Sequence, residues 1–163
     1  MIMGGCQSKS KEITITVNET IDMLTVWDGY CSKTTLTPAD IFDGGSGTEA
    51  DPYRVKNADQ LACFAKSVNN GTTYEGKFVK QIKDIKLNDN LVAKASVGDY
   101  DGINEWKCIG DFYKGYYFAG TYDGDNHTIS GMLLGDYSNN RYSQKGLFGA
   151  AMGATFKNLN ISD

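Results

Sequence analysis

The sequence predicts a mainly all-β fold with one helix, and three observations carry that prediction. The 163-residue chain has 19 glycines, ten tyrosines and only two prolines, which favours many short strands joined by turns. Apolar and polar residues alternate in short runs, as over residues 12–17. Two glycine-punctuated units, residues 118–134 and 146–161, resemble each other, and Ile129 lies 27 residues before Phe156, an interval typical of stacked repeats. We therefore expect a solenoid whose repeats bury their apolar faces against one another.

The first half of the chain contains the only convincing helix. Residues 12–17 and 23–27 predict two strands, and residues 31–51 predict an irregular loop rich in glycine. Asn57 is a good N-cap for a helix over residues 57–70, and Gln60 completes a capping box. The face expected to dock on the first repeats is formed by Leu61, Phe64, Ala65 and Val68, with Cys63 on another face.

Short strands are predicted again after the helix, at residues 78–82, 85–87 and 106–109 and in the two units already described. The polar stretches 88–105 and 135–145 are interpreted as loops that project from one side of the body. The apolar residues that recur at the repeat spacing are expected to point into one interior: Ile85, Ile109, Ile129, Leu133, Phe148, Phe156, Leu159 and Ile161.

Charge and cysteine content exclude several classes of protein. The net charge is −4, and no Lys/Arg run is longer than two residues, so we expect no nucleic-acid partner. No two of the four cysteines form a C-x-x-C motif, which excludes zinc ribbons and thioredoxin-like motifs. A disulfide is possible but not indicated. No apolar run approaches the roughly 18 to 20 residues that a membrane-spanning helix needs.

The N-terminus is predicted to lie outside the folded domain. Small residues before Cys6 and a Ser/Lys-rich stretch after it are typical of the end of a bacterial lipoprotein signal. Residues 1–11 are therefore either a lipoprotein-like tether with Cys6 lipidated, the one predicted membrane attachment, or a disordered tail. Residues 12–163 are predicted to form a single domain.

An ordered series of motifs resembles a known family. It begins with DGGSGTEADPY at residues 43–53 and DIKL at 84–87, and continues with WKCIG, FAGTYDGDNHTISG, GLFG and KNL. This series is similar to the N-terminal part of bacterial surface proteins that carry GLUG-type repeats. The resemblance implies the first coils of a right-handed parallel β-helix, flanked or capped by one helix, on a secreted or cell-surface protein. Cys108 departs from the pattern, because proline is usual there, and no complete glycine-rich repeat is present.

Known catalytic and metal-binding motifs are missing from the sequence. His127 is the only histidine, and neither H-E-x-x-H nor G-x-S-x-G occurs. The family pattern implies a structural role for His127, such as hydrogen bonding to the preceding turn. Residues 123–126 resemble half an EF-hand loop, but position 12 is Leu134 rather than glutamate. We expect no cofactor; a weak surface calcium site with Asp99, Asp101 or Asp111 is the alternative.

Aromatic residues supply the candidate binding surface. Seven of the ten tyrosines lie between Tyr100 and Tyr142, interleaved with Asp and Asn, a chemistry suited to saccharides or protein partners. The alternative is that these rings are strand residues that fill the core. The candidate binding residues are Tyr113, Tyr116, Tyr137, Tyr142, Asp99 and Asp101.

Two classes of function follow from the sequence. The first is a non-catalytic, adhesin-like module or spacer on the bacterial surface, which binds glycan or protein partners and self-associates through the open end of its solenoid. The second is a polysaccharide-degrading enzyme built on a β-helix, with two surface carboxylates as the catalytic pair.

Overall fold

The computed structural model describes residues 27–135 and 145–162 of the chain. Within these residues the chain forms three α-helices, seven short strands and one 3-10 turn at Phe112–Lys114. In chain order the helices and strands are α1 Pro38–Ile41, β1 Tyr53–Val55, α2 Ala58–Val68, β2 Phe78–Gln81, β3 Ile85–Lys86, α3 Leu91–Ser96, β4 Thr121–Asp123, β5 Thr128–Ser130, β6 Thr155–Lys157 and β7 Asn160–Ser162.

The strands form two small parallel sheets, with the orders β1-β2-β4-β6 and β3-β5-β7. Strands β2, β4 and β6 of the first sheet are each followed, after a short connection, by a strand of the second. The β4–β5 connection is a tight turn in which Asp125 and Asn126 have positive φ and the His127 amide donates to the Gly124 carbonyl at 2.8 Å. The predicted turn is therefore present, but its central residues are Asp125 and Asn126, two positions after the predicted Asp123-Gly124.

The prediction of an all-β right-handed parallel β-helix is wrong. The chain has a mixed α/β fold, with about 19% of the described residues in helices and 23% in strands, and no solenoid is found in these residues. The paired positions 53, 79, 122 and 156 of the first sheet are separated by 26, 43 and 34 residues, so the intervals are too uneven for a constant repeat. Two short helices, α1 and α3, also lie within residues 31–51 and 88–105, where only loop was predicted.

The hydrophobic core lies between the two sheets and helix α2. Tyr122 of β4 and Ile129 of β5 are fully buried in it, and Phe64 of α2 stacks on Tyr122 with ring centroids 6.2 Å apart. Phe118 meets Phe64 edge to face at 5.5 Å. The helix is therefore part of the core itself rather than a cap beside a finished sheet.

Helix α2 confirms the prediction for residues 57–70, with slightly shorter bounds. The Asn57 side chain accepts a hydrogen bond from the Gln60 amide at 2.9 Å, and Gln60 Oε1 accepts from the Lys56 amide at 2.9 Å. The reciprocal cap thus reaches one residue further back than an ordinary capping box. The predicted docking face, formed by Leu61, Phe64, Ala65 and Val68, is buried.

Cys63 of α2 forms a disulfide with Cys31 and is itself buried. Sequence reasoning placed Cys63 away from the docking face and gave no indication of a disulfide. The bond fixes the segment that precedes α1 onto the helix, which is important for the site described below.

Three of the other predicted strands either differ in the structure or lie wholly or mostly outside the described residues. Residues 106–109 make only isolated bridges, Glu105 with Leu133 and Ile109 with Phe148, and form no strand. Residues 12–17 and 23–26 lie outside the described residues. The end of the chain has its predicted strands, as β6 and β7.

The eight residues predicted to share one interior fall into three groups. Ile85, Ile109 and Ile129 are fully buried in one core. Leu133, Phe148 and Leu159 are partly buried, whereas Phe156 and Ile161 are 43% and 47% exposed. These two residues belong to β6 and β7, the last strands of their sheets, and no strand among the described residues covers them. Self-association at this end stays a prediction.

Candidate functional site

A cleft of about 400 Å³ lies between the 27–31 segment, helix α2 and residues 106–114. This volume is within the range of about 300 to 1,000 Å³ that is usual for small-ligand sites. We call it the aromatic cleft, and its lining residues are Trp27, Gly29, Tyr30, Cys31, Ala62, Ala65, Lys66, Asn69, Asn70, Trp106, Lys107 and Lys114.

The first wall is the 27–31 segment, which side-chain hydrogen bonds hold in place. Asn104 Nδ2 donates to the Trp27 carbonyl at 2.6 Å, and Trp27 Nε1 donates to the Tyr30 carbonyl at 3.0 Å. Gly29 has φ of +88°, and a Cβ there would lie 2.8 Å from Asn104 Oδ1, so this tight bend requires glycine. The disulfide at Cys31 fixes the far end of the segment.

The floor is the face of α2 that carries Ala62, Lys66 and Asn69. These residues share one side of the helix because they are three and four positions apart. At the start of the same helix, Asp59 accepts hydrogen bonds from the amide and hydroxyl of Ser32 at 2.6 and 2.8 Å. The segment after the first wall is therefore attached to α2 by a disulfide and by two hydrogen bonds.

The second wall is held by Asn69. Its Nδ2 donates to the Cys108 carbonyl at 2.9 Å, and its Oδ1 accepts from the Gly110 amide at 2.8 Å. Trp106, just before this clamp, packs against Trp27 with ring centroids 6.0 Å apart. The two tryptophans, one from each wall, are buried, so the exposed aromatic face among the lining residues is that of Tyr30, which is 68% exposed.

The charges that line the cleft are all positive. They belong to Lys66, Lys107 and Lys114, and no Asp or Glu is among the lining residues. Burial raises the pKa of the neighbouring Cys108 thiol, which favours its protonated form.

Two of the predicted binding tyrosines, Tyr113 and Tyr116, are among the described residues; neither lines the aromatic cleft, although each is near a residue that does or near the end of α2. Tyr113 is 62% exposed and precedes Lys114 in the 3-10 turn, next to the exposed Phe112. Tyr116 is partly buried, and its ring lies 3.7 Å from the position that a Cβ of Gly71 would occupy, at the end of α2. Tyr137 and Tyr142, as well as Cys6, lie outside the described residues.

Asp99 and Asp101 do not line the aromatic cleft. They are exposed in the loop after α3, where Asp99 Oδ1 accepts from the Asp101 amide at 3.0 Å. Lys94 of α3 binds the same loop through its ammonium group, 3.9 Å from Asp99 Oδ2. Across the two described ranges, no three His, Cys, Asp or Glu side chains are grouped so as to hold a metal ion.

His127 is close to Asp84, which lies in the connection between β2 and β3. Its Nδ1 lies 3.4 Å from Asp84 Oδ1, which also accepts a hydrogen bond from the Thr128 amide at 2.8 Å. The Thr128 amide and, to a smaller extent, His127 lower the pKa of the Asp84 carboxyl. The structural role predicted for His127 stays a prediction, and these contacts are compatible with it.

A second groove, of about 430 Å³, crosses the outer face of the first sheet. Arg54, Lys80, Asp123 and Lys157 lie in register across its four strands. Ion pairs join Arg54 to Asp51 at 3.0 Å and Lys80 to Asp125 at 2.9 Å. We call this the charged groove; it mixes both signs of charge, and two ion pairs join four of its seven charged side chains.

Sequence reasoning missed the main residues of the aromatic cleft. Trp27 was assigned to the end of a strand and Tyr30 to no element, and Trp106, the packing partner of Trp27, is 79 positions from it. The one local signal was on the polar side of α2, where Ala62, Lys66 and Asn69 form a second face at helical spacing. That pattern indicates that this face of α2 contacts something, but it does not indicate which residues lie on the other side of the cleft.

No helix within residues 27–135 and 145–162 is long and apolar enough to cross a lipid bilayer. The resemblance to surface proteins with GLUG-type repeats stays a prediction. The chain matches no protein-family model, and no curated protein or solved structure is similar to it.

Proposed function

We propose that this chain is a non-catalytic, adhesin-like binding module of a secreted or cell-surface bacterial protein, and that it binds glycans in the aromatic cleft. The observation that carries the proposal is the exposed ring of Tyr30 standing beside the cleft's amide and ammonium groups. Saccharides present apolar C–H faces and hydroxyl groups together, so they suit an aromatic face bordered by hydrogen-bonding groups.

The arrangement of the cleft supports binding without a large rearrangement. Its walls are fixed by the disulfide, by Asn104 and by the Asn69 clamp. Rigid walls reduce the ordering cost of binding, since few groups lose freedom when the ligand enters. The exposed Phe112 and Tyr113 next to Lys114 extend the aromatic surface on one side.

The disulfide between Cys31 and Cys63 supports a location outside the cytoplasm. Disulfides form and persist in oxidising compartments such as the periplasm and the cell exterior. A lipid anchor at Cys6 is a further part of this proposal, compatible with the same location.

The charged groove favours a second candidate, a polysaccharide-degrading enzyme, because Glu49, Asp51, Asp123 and Asp125 all line it. A catalytic acid in such an enzyme needs a raised pKa. Hydrogen bonds from Arg54 lower the pKa of Asp51. Burial opposes ionisation of Asp123, but the Asp125 amide, Asn158 and two lysines outweigh it and lower the pKa of Asp123. The lowered pKa values of Asp51 and Asp123 are the opposite of what a catalytic acid needs, so they favour the binding module over the enzyme.

A glycan array followed by a reducing-sugar assay on the bound polysaccharides tests the proposal. We expect saturable glycan binding by the purified chain and no release of sugar ends. Tyr30→Ala should remove most of the binding and leave the melting temperature nearly unchanged, because an exposed side chain contributes little to stability. Tyr100→Ala is a matched control, since Tyr100 is 51% exposed and lies outside the cleft.

Other outcomes would redirect the proposal. Loss of binding in Tyr100→Ala instead of Tyr30→Ala would move the site to the loop of Asp99 and Asp101. Loss only in the double variant Tyr137→Ala, Tyr142→Ala would move it to the second predicted loop. Sugar release that an Asp123→Asn variant abolishes would establish the enzyme, and binding to a surface protein but to no glycan would make the partner a protein.

A further inference from the structure

We infer that the ligand of the aromatic cleft is an acidic saccharide, one that carries carboxylate or sulfate groups; this inference rests on the proposed function and narrows it. The charged lining residues are three lysines and no acid, although the whole chain has a net charge of −4. The cleft is therefore locally positive, although the net charge of the whole chain is negative. Such a patch attracts anionic ligands and disfavours cationic ones.

The three lysines come from different parts of the fold and surround the cleft. Lys66 is on α2, Lys107 follows Trp106, and Lys114 ends the 3-10 turn. A ligand between them meets ammonium groups on the floor and on the second wall. This distribution fits a chain of sugars with several negative groups better than a single small anion.

The positive charge of these lysines is little neutralised. Lys66 Nζ donates to the Lys33 carbonyl at 3.2 Å, and that partner has no net charge. Lys114 Nζ lies 3.5 Å from Asp111 Oδ2, but its side chain is 69% exposed, and exposed ion pairs of this kind are weak. Lys107 is exposed and forms no ion pair within residues 27–135 and 145–162.

The charged groove is a useful contrast. An anion placed there would meet Asp51, Asp123 and Asp125 along with the basic residues, two of which are already paired. The exposed ring of Tyr30 also belongs to the cleft and not to the groove. The cleft is thus the place where unneutralised positive charge and an aromatic face occur together.

Calorimetric titration with matched pairs of probes tests the inference. The first pair is trigalacturonate and its trimethyl ester, which differ in carboxylate charge; the second is a sulfated carrageenan-type tetrasaccharide and its desulfated form, which is neutral because the sulfates are the only charged groups. We expect at least one charged probe to bind about tenfold or more tightly than its neutral partner. Raising the salt concentration to about 0.5 M should remove most of that advantage, because exposed charges are screened.

Single lysine variants locate the effect. Lys107→Gln should weaken binding of the charged probe about fivefold and should weaken binding of the neutral probe clearly less, so that the advantage of the charged probe shrinks. Lys83→Gln makes the same charge change at an exposed position outside the cleft and should leave both unchanged. The melting temperatures of both variants should match that of the unmodified chain.

Three results would overturn the inference. Equal affinity for the charged and neutral members of both pairs would leave the proposed function standing and remove the acidic specificity. Full competition by inorganic sulfate at the concentration of the sulfated probe would make the cleft an anion site and not a saccharide site. Binding of none of the four probes, and of no glycan on the array, would sink both the inference and the proposed function.

Discussion

At the scale of single residues, buried polar groups join the two sheets. Gln81 of β2 is fully buried, and its Nε2 donates to the carbonyls of Lys83 at 2.9 Å and of Thr128 at 3.3 Å. Its Oε1 accepts from the Tyr122 hydroxyl at 3.3 Å. Burial raises the pKa of Tyr122, so its phenol remains a neutral donor far into the alkaline range.

The Tyr122 hydroxyl is expected to be important for stability. Tyr122→Phe should lower the free energy of unfolding by about 1 to 3 kcal/mol, because Gln81 Oε1 is then buried without its donor. Urea unfolding measures this loss. Tyr100→Phe at an exposed site should be neutral, and an equal loss in the two variants would contradict the assigned role of Gln81.

Also at the scale of single residues, Asp84 is expected to make the free energy of unfolding depend on pH. The Thr128 amide and His127 hold the pKa of Asp84 below its usual range, so the charged carboxylate is favoured in the folded state. Its contribution to stability is therefore present above the unfolded pKa of about 4 and is lost as the pH falls through the lower folded value.

Unfolding curves between about pH 6 and pH 2 measure this dependence. Asp84→Asn should be less stable than the unmodified chain at the upper end of this range, and the difference should shrink towards the lower end. A difference that stays constant across the range would show that the Asp84 charge has no part in it.

At the scale of helices and strands, the sequence predicts the elements whose determinants lie within one short segment. Asn57, Gln60 and the apolar spacing of α2 are all within one segment, and the helix forms where they place it. Strand β1 was missed because it has three residues and is defined by pairing with β2, which is 26 positions away. Residues 106–109 have the alternating pattern of a strand. The Asn69 side chain, however, forms hydrogen bonds with the Cys108 carbonyl and the Gly110 amide, so this segment makes only isolated bridges.

The paired row Ile85, Ile129 and Ile161 permits a matched test of the second sheet. Ile129 is fully buried between its two neighbours, whereas Ile161 at the edge is 47% exposed. Ile129→Ala should cost about 2 to 5 kcal/mol, and Ile161→Ala clearly less, since it loses less buried area and leaves no closed cavity. Equal costs in chemical denaturation would mean that the edge of β7 is covered in solution.

At the scale of the whole molecule, one disulfide connects the cleft with the core. Cys31 and Cys63 are 32 residues apart in sequence, and the bond fixes the first wall of the cleft on a core helix. Neither the pairing nor the cleft was evident from the sequence, because both arise from contacts between distant segments.

Reduction of this disulfide should therefore affect stability and binding together. We expect the free energy of unfolding to fall by about 2 to 4 kcal/mol, as is usual for a loop of this length. Glycan binding should weaken as the 27–31 segment loses its attachment. A variant with Cys31→Ser and Cys63→Ser should already have both defects and should not respond to reductant; a response would implicate another thiol.

The proposal that the aromatic cleft is the binding site can be tested most directly by tryptophan fluorescence. The chain has two tryptophans, and both line this cleft. Titration with a glycan identified on the array should change the emission saturably, with the same affinity as calorimetry. Tyr30→Ala should abolish the change, and Tyr100→Ala should retain it. Calorimetric binding that leaves the emission unchanged and is unaffected by Tyr30→Ala would place the ligand elsewhere and contradict the account.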